Sequence, residues 1–110
     1  MKEERIFSTN LEPDVYFKGI FKFQDTLLVK GKIEGTVQGE NGKIIIEKTG
    51  KIEGTITAQT IDNYGELKGM ANVLENYNLY SGALNDAELK VKTIMIEKGA
   101  VFNGTCKMEK

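Results

Sequence analysis

The chain has 110 residues, of which 40% are hydrophobic and 28% are charged, and fifteen basic against sixteen acidic residues give a formal net charge of −1. This length and balance are typical of one globular domain and exclude a wholly disordered chain. The two signs of charge are intermingled and form no basic block that would neutralise a row of phosphates, so we expect no nucleic-acid partner.

The first segment, residues 1–14, is rich in charge and contains the only proline of the chain. It shares no pattern with the residues that follow, so we predict a flexible N-terminal tail. Within this segment Ile6 and Phe7 lie close to Lys2 and Arg5. Two apolar residues beside basic ones are a weak candidate for contact with a membrane surface.

From residue 15 onward the chain repeats itself, most clearly as GKIEGTV at 31–37 and GKIEGTI at 50–56. The leading glycines of the series, spaced about 17 residues apart on average, are Gly31, Gly50, Gly65, Gly82 and Gly99. No linker interrupts the pattern. We therefore predict one repeat domain over residues 15–108 and a short C-terminal end at residues 109–110.

Within each copy, apolar residues alternate with polar or charged ones, as at Leu27 and Val29 or at Ile44 and Ile46. The glycine density argues against helix, since each internal Gly costs about 1 kcal/mol relative to Ala. A repeat of this length fits one coil of three short strands and three tight corners, triangular in section. The sequence thus predicts an all-β, single-domain parallel β-helix, with inward columns such as that of Ile52 and charged ladders outside.

Catalytic and cofactor sites are not expected. The sequence has no histidine, which removes the usual general base and the commonest metal ligand. Cys106 lies beside Lys107, which would lower the pKa of the thiol, but no His or second Cys accompanies it, so we expect a core or end-cap thiol. The Gly-Lys pairs at 42–43 and 50–51 lack the rest of a phosphate-binding loop, and we expect no nucleotide and no metal.

The location is predicted from cysteine usage and hydrophobic run length. A single cysteine forms no internal disulfide, and the first residues do not resemble a secretion signal. The longest apolar runs are far shorter than the roughly 20 residues that cross a bilayer. These features predict a cytoplasmic protein.

Aromatic and apolar residues crowd the two terminal coils. The first coil has Phe17, Phe21 and Phe23, and the last has Val101, Phe102 and Met108. An end coil lacks a neighbour on one side, and the sequence stops at Lys110 without room for a capping helix, so we expect these residues to mediate self-assembly. Like-to-like stacking at both ends would give an open filament without polarity.

Three tyrosines, Tyr64, Tyr77 and Tyr80, fall near corners of consecutive coils. They are expected to form a packing column beside the core, with a partner-binding stripe as the alternative.

The segments LLVKGKIEGTV, GKIIIEKTGKIEGTITAQTI, YGELKGMA and IMIEKGAVFNGTCKM, which run through most of residues 17–108, resemble the bactofilins, which are bacterial polymer-forming cytoskeletal proteins. The resemblance implies a right-handed β-helix of about six turns. In two places this chain departs from the family's glycine pattern: Phe23 and Asp25 in the first turn, and Asp86 in the Gly82 repeat.

The resemblance also implies a function. Bactofilins form filaments without nucleotide along the inner face of the cytoplasmic membrane and serve as scaffolds for cell shape, cell-wall enzymes or envelope proteins. The position of Phe102 in the family's pattern implies a hydrophobic contact between C-terminal ends, with a residue that seals its own core as the alternative. A different class of function also stays open, namely a non-polymerising β-helical binding module that regulates a division or envelope protein.

Overall fold

The computed structural model describes the backbone of residues 3–11 and the whole of residues 15–108 except the side chain of Glu40. Almost all of the described residues lie in strands, and none lies in a helix. In chain order the strands are β1 (Glu3–Leu11), β2 (Tyr16–Val29), β3 (Lys32–Ile46), β4 (Lys51–Asn63), β5 (Glu66–Leu79), β6 (Leu84–Ile96) and β7 (Val101–Met108).

Each strand pairs in parallel with the strand that follows it in the chain, so the sheet order is the chain order from β1 to β7. From each strand to the next, the register advances by one sequence repeat, so that Lys32 lies opposite Lys51 and Lys51 lies opposite Glu66. Parallel strands that follow one another in the chain with only a short connection must each wind once around a common axis, which is the geometry of a solenoid. The predicted parallel β-helix is confirmed, with about five turns where about six were expected.

The core consists of columns of side chains from successive coils. Ile33, Ile52 and Leu67 are register partners and are fully buried. The next position along the chain faces outward and forms a column in which Glu34, Glu53 and Lys68 follow one another. The alternation predicted from the sequence therefore places apolar side chains inside and the charged ladder outside.

At one corner of the coil, five of the six stacked positions are glycine, because successive backbones lie there with almost no space between them. Gly54 has φ of 137°, and a Cβ on it would lie 1.9 Å from the carbonyl oxygen of Gly35 in the previous coil. No side chain fits at that distance, and positive φ disfavours any residue but glycine. The glycines of this corner column are Gly19, Gly35, Gly54, Gly69 and Gly104.

In β6 the corner column contains Ala87, which lies opposite Gly69. The prediction that Asp86 replaces the second glycine is therefore wrong by one residue, and Asp86 lies opposite Lys68 in the outer column. The leading glycine stands one residue earlier in this turn than in the turn before β4. Before β6 the amide of Ala83 donates to the carbonyl of Tyr80 at 3.0 Å, whereas before β4 the corresponding amide is that of Gly50, which donates to Glu47 at 2.8 Å.

The first coil accommodates its two departures from the glycine pattern in different ways. Asp25 itself adopts the left-handed conformation, with φ of 64°. Phe23 is buried, and its ring occupies the space beside Gly39 and Gly42, where added Cβ atoms would lie 2.3 Å and 2.4 Å from ring atoms. Because Gly39 and Gly42 have no side chain, β3 leaves the space that this ring occupies.

The N-terminal segment differs from its prediction. Residues 3–11, expected to be part of a flexible tail over residues 1–14, form β1 and pair with the residues from Ile20 to Val29. Pairing at the edge of a parallel sheet needs only backbone groups, so β1 extends the solenoid without the repeat motif. Residues 1, 2, 12–14, 109 and 110 of the predicted terminal segments lie outside the described part of the chain.

Candidate assembly surfaces

The C-terminal end of the solenoid exposes part of its core. We define the C-terminal end surface as the side chains of the last coil whose register partners in the coil below are buried: Ile94, Ile96, Phe102, Cys106 and Met108. Ile96 is 48% exposed and Met108 is 52% exposed, although their partners Leu79 and Val91 are buried. Among the described residues, no strand follows β7, so the last coil leaves its apolar side chains uncovered.

Phe102 and Val101, which were both predicted to mediate assembly, face in different directions. Phe102 lies opposite the buried Asn85 and packs, half-buried, against the core. Val101 lies opposite Leu84 in the outer column and is 49% exposed. The strand alternation thus places Phe102 on the end surface and Val101 on the side of the rod.

The N-terminal end is more closed than predicted. Phe21 and Phe23 are only 2% and 3% exposed, and their register partners in β1 are Glu4 and Ile6. Phe17 lies outside the stretch that β1 pairs with and contacts Phe21 edge-on, with ring centroids 5.1 Å apart. With β1 in place, Phe21 and Phe23 are therefore core residues and are not available for contact with another molecule.

The candidate membrane residues Ile6 and Phe7 lie in β1, and their side chains are outside what the structure describes. The described residues contain no helix long and apolar enough to span a bilayer.

The chemistry of Cys106 agrees with an end-cap thiol. Burial raises the pKa of the Cys106 thiol, which opposes the lowering expected from Lys107. The sulfur atoms of Cys106 and Met108 lie 3.7 Å apart on the end surface. Among the side chains that the structure describes, those of residues 15–108 except Glu40, no group has the composition of a metal site.

The charged columns on the sides of the rod form short ion-pair ladders. The Glu66 carboxylate forms ion pairs with Lys51 and Lys68, with N–O distances of 3.7 Å and 3.6 Å, and all three side chains are partly exposed. At the start of the ladder the Tyr16 hydroxyl donates to Glu34, which raises the pKa of Tyr16 and lowers that of Glu34. Exposed pairs of this kind contribute little to stability and show no catalytic geometry.

A buried polar cluster, which was not predicted from the sequence, lies in the C-terminal half of the core. The amide nitrogen of Asn63 donates to the Tyr77 hydroxyl at 3.0 Å, and that hydroxyl donates to the side-chain oxygen of Asn85 at 2.9 Å. The remaining polar atoms are also satisfied, for example by the backbone amide of Gly65, which donates to Asn63 at 2.8 Å. The available signal was the presence of asparagine at inward positions of the repeat.

The three tyrosines do not form one column. Tyr64 and Tyr80 are register neighbours at a corner, stacked with ring centroids 4.3 Å apart and an interplanar angle of 4°. Tyr77 instead lies in the core opposite Ile61 and Ile94. The predicted packing column is thus correct for two tyrosines and wrong for Tyr77.

The family comparison agrees with this architecture. Residues 9–107 match the family model described as Bactofilin, polymer-forming cytoskeletal. The chain belongs to the bactofilin family. No curated protein and no solved structure matches the chain. The family match identifies this bactofilin as a cytoskeletal scaffold protein of a polymer-forming family, which is not an enzyme family.

Proposed function

We propose that this bactofilin self-assembles end to end into filaments, without nucleotide, and that the C-terminal end surface forms one of the two junctions of the filament. The observation that carries the proposal is that the apolar core is uncovered at the C-terminal end of the solenoid. It agrees with the membership of the chain in a polymer-forming family. Burial of one large apolar side chain is worth roughly 1.5 to 3 kcal/mol, and a two-fold contact counts each residue twice. Phe102 and Met108 are the residues that we place at the centre of this junction.

The filament is further proposed to act at the inner face of the cytoplasmic membrane, where it organises cell shape or cell-wall and envelope proteins. This part of the proposal follows from the family and from the resemblance found in the sequence. Contact of Ile6 and Phe7 with lipid is one way in which the filament would reach the membrane. Sedimentation of the filament with anionic vesicles, compared between the intact chain and an Ile6→Ser/Phe7→Ser variant, tests that contact.

The test of assembly is Phe102→Arg, with Val101→Arg as the matched control. Both variants add one positive charge to the last coil, but only Phe102 lies on the end surface. We expect Phe102→Arg to abolish the C-terminal junction, because facing like charges replace two aromatic side chains, and Val101→Arg to assemble as the unmodified protein does.

Negative-stain microscopy and light scattering measure the outcome, and circular dichroism verifies that each variant keeps its β-structure. Filaments of Phe102→Arg as long as those of the unmodified protein would contradict the proposal. A folded unmodified protein that stays a single copy at high concentration would favour the non-polymerising binding module.

A further inference from the structure

The two ends of the rod are closed to different degrees. At the N-terminal end, β1 pairs with β2 from Ile20 to Val29, and among the described residues only the stretch from Tyr16 to Gly19 has no partner on that side. At the C-terminal end, the whole of β7 and the stretch from Thr93 to Ile96 of β6 have no further partner among the described residues. In this conformation the C-terminal end alone exposes a wide section of the core.

Several features make β1 easier to displace than the inner strands. It has one neighbour, whereas β2 to β6 each have two. It has nine residues, whereas β2 to β6 have thirteen to fifteen, and its pairing begins at Ile20 and does not include the corner glycine Gly19. A short edge strand is held by fewer interactions than a longer one paired on both sides.

We propose that β1 is a displaceable cap that closes the N-terminal end, so that assembly passes from a two-copy unit to a filament only when β1 leaves β2. This inference rests on the proposed function, since it assumes that the C-terminal end surface joins two copies. Displacement of β1 would free the edge of β2 and uncover Phe21 and Phe23 beside Phe17. A second copy with its own β1 displaced is the partner, because it presents the same aromatic residues and the same unpaired strand edge.

A reversible disulfide between β1 and β2 tests the proposal directly. Ser8 and Thr26 are Cα partners in the register of β1 and β2. Neighbouring strands lie about 4.8 Å apart, which is within the Cα separation that a disulfide spans. The variant is Ser8→Cys/Thr26→Cys in the full chain with Cys106 unchanged, because Cys106 lies on the C-terminal end surface, and its controls are the unmodified chain and Ser8→Cys alone under the same oxidising conditions.

We expect the oxidised double variant to stop at a two-copy particle in light scattering, and reduction of the same sample to restore filaments. Adding Phe102→Arg to the oxidised variant is expected to leave single copies, which shows that the remaining junction is C-terminal. Filaments of equal length before and after reduction would overturn the cap and leave the proposed function standing. Two-copy particles in both states would also overturn the cap, and single copies in both states would overturn the proposed function together with it.

A second variant approaches the same question without a disulfide. Thr9 and Asn10 lie in the uninterrupted part of the β1 pairing, from Ser8 to Leu11. The amides of consecutive strand residues point to opposite sides, so Thr9→Pro/Asn10→Pro removes one donor from the ladder with β2. We expect this variant to assemble at a protein concentration at least tenfold lower than the unmodified chain, with Thr9→Val/Asn10→Thr as the control that keeps the strand. An unchanged or higher concentration threshold in a folded Thr9→Pro/Asn10→Pro protein would contradict the cap.

Discussion

At the scale of single residues, the direction of each side chain follows from the alternation of the strand. Ile52 is fully buried, whereas its neighbour Glu53 lies in the outer column. Sequence alone predicted this correctly because the apolar Ile52 stands between the charged Lys51 and Glu53. It did not predict the buried cluster of Tyr77 and Asn85, since a polar group is placed inside only when partners from other coils satisfy it, and those partners are known only from the fold.

Ile52→Asp is expected to unfold the domain. The change places a carboxylate in a column between Ile33 and Leu67, where no partner is available, and a charge buried in this way costs several kcal/mol. Glu53→Ala is the matched control and is expected to change the free energy of unfolding by less than about 1 kcal/mol. Urea denaturation followed by circular dichroism measures both, and equal effects at the two positions would show that the orientation is wrong.

Tyr77→Phe is expected to destabilise the protein by about 1 to 3 kcal/mol, because the buried side-chain oxygen of Asn85 loses its donor. Tyr80→Phe provides a control, since that ring lies at a partly exposed corner. Chemical denaturation at neutral pH compares the two variants. A smaller effect at Tyr77 than at Tyr80 would show that the buried cluster does not contribute to stability.

The same tyrosine gives the protein a pH dependence in the alkaline range. Burial raises the pKa of Tyr77 well above its usual value near 10, and the hydrogen bond from Asn63 offsets this only in part. Above that usual value the unfolded chain ionises while the folded chain does not, so stability falls by about 1.4 kcal/mol per pH unit. Denaturation at pH 9 and pH 11 should show a larger loss in the unmodified protein than in Tyr77→Phe; equal losses would exclude Tyr77 as the cause.

At the scale of one coil, the corner glycines determine how closely the strands stack. The sequence predicted the repeat, the strand type and most of the register from glycine spacing. It misplaced the β6 corner because Gly82 occupies the turn position before the one that Gly50 occupies, and spacing does not reveal which position of a turn a glycine takes. It also left residues 3–11 out of the solenoid, because an edge strand needs only backbone partners and carries no repeat motif.

Gly54→Ala is expected to destabilise the protein by more than about 3 kcal/mol, because it combines backbone strain with a clash against the carbonyl oxygen of Gly35. Gly82→Ala is the matched control. Gly82 also has positive φ, at 86°, but a Cβ there meets no atom within 4 Å, so only the strain of about 1 kcal/mol remains. Thermal denaturation of both variants checks the order, and a larger effect at Gly82 would contradict the stacking argument.

At the scale of the whole molecule, each coil contacts only the coils next to it, so stability decreases toward an end that has no neighbour. We expect backbone amides of β7 to exchange with deuterium faster than those of β4 in unassembled Phe102→Arg protein. In assembled unmodified protein the amides of β7 should gain protection, because the junction covers that edge. Hydrogen exchange measured by mass spectrometry tests this, and an unchanged β7 on assembly would place the junction elsewhere.

The identity of one segment of β3 and β4 has a consequence for how the length of such a solenoid changes in evolution. Between Lys32 and Thr36 each residue lies opposite an identical residue of β4. At these five positions, a duplicated coil inserted by recombination between the two would have identical residues above and below it. Each insertion would lengthen the rod by about 4.8 Å while both ends kept their sequence. In this architecture the length of the subunit can therefore change in evolution while the residues that form its two end surfaces stay the same.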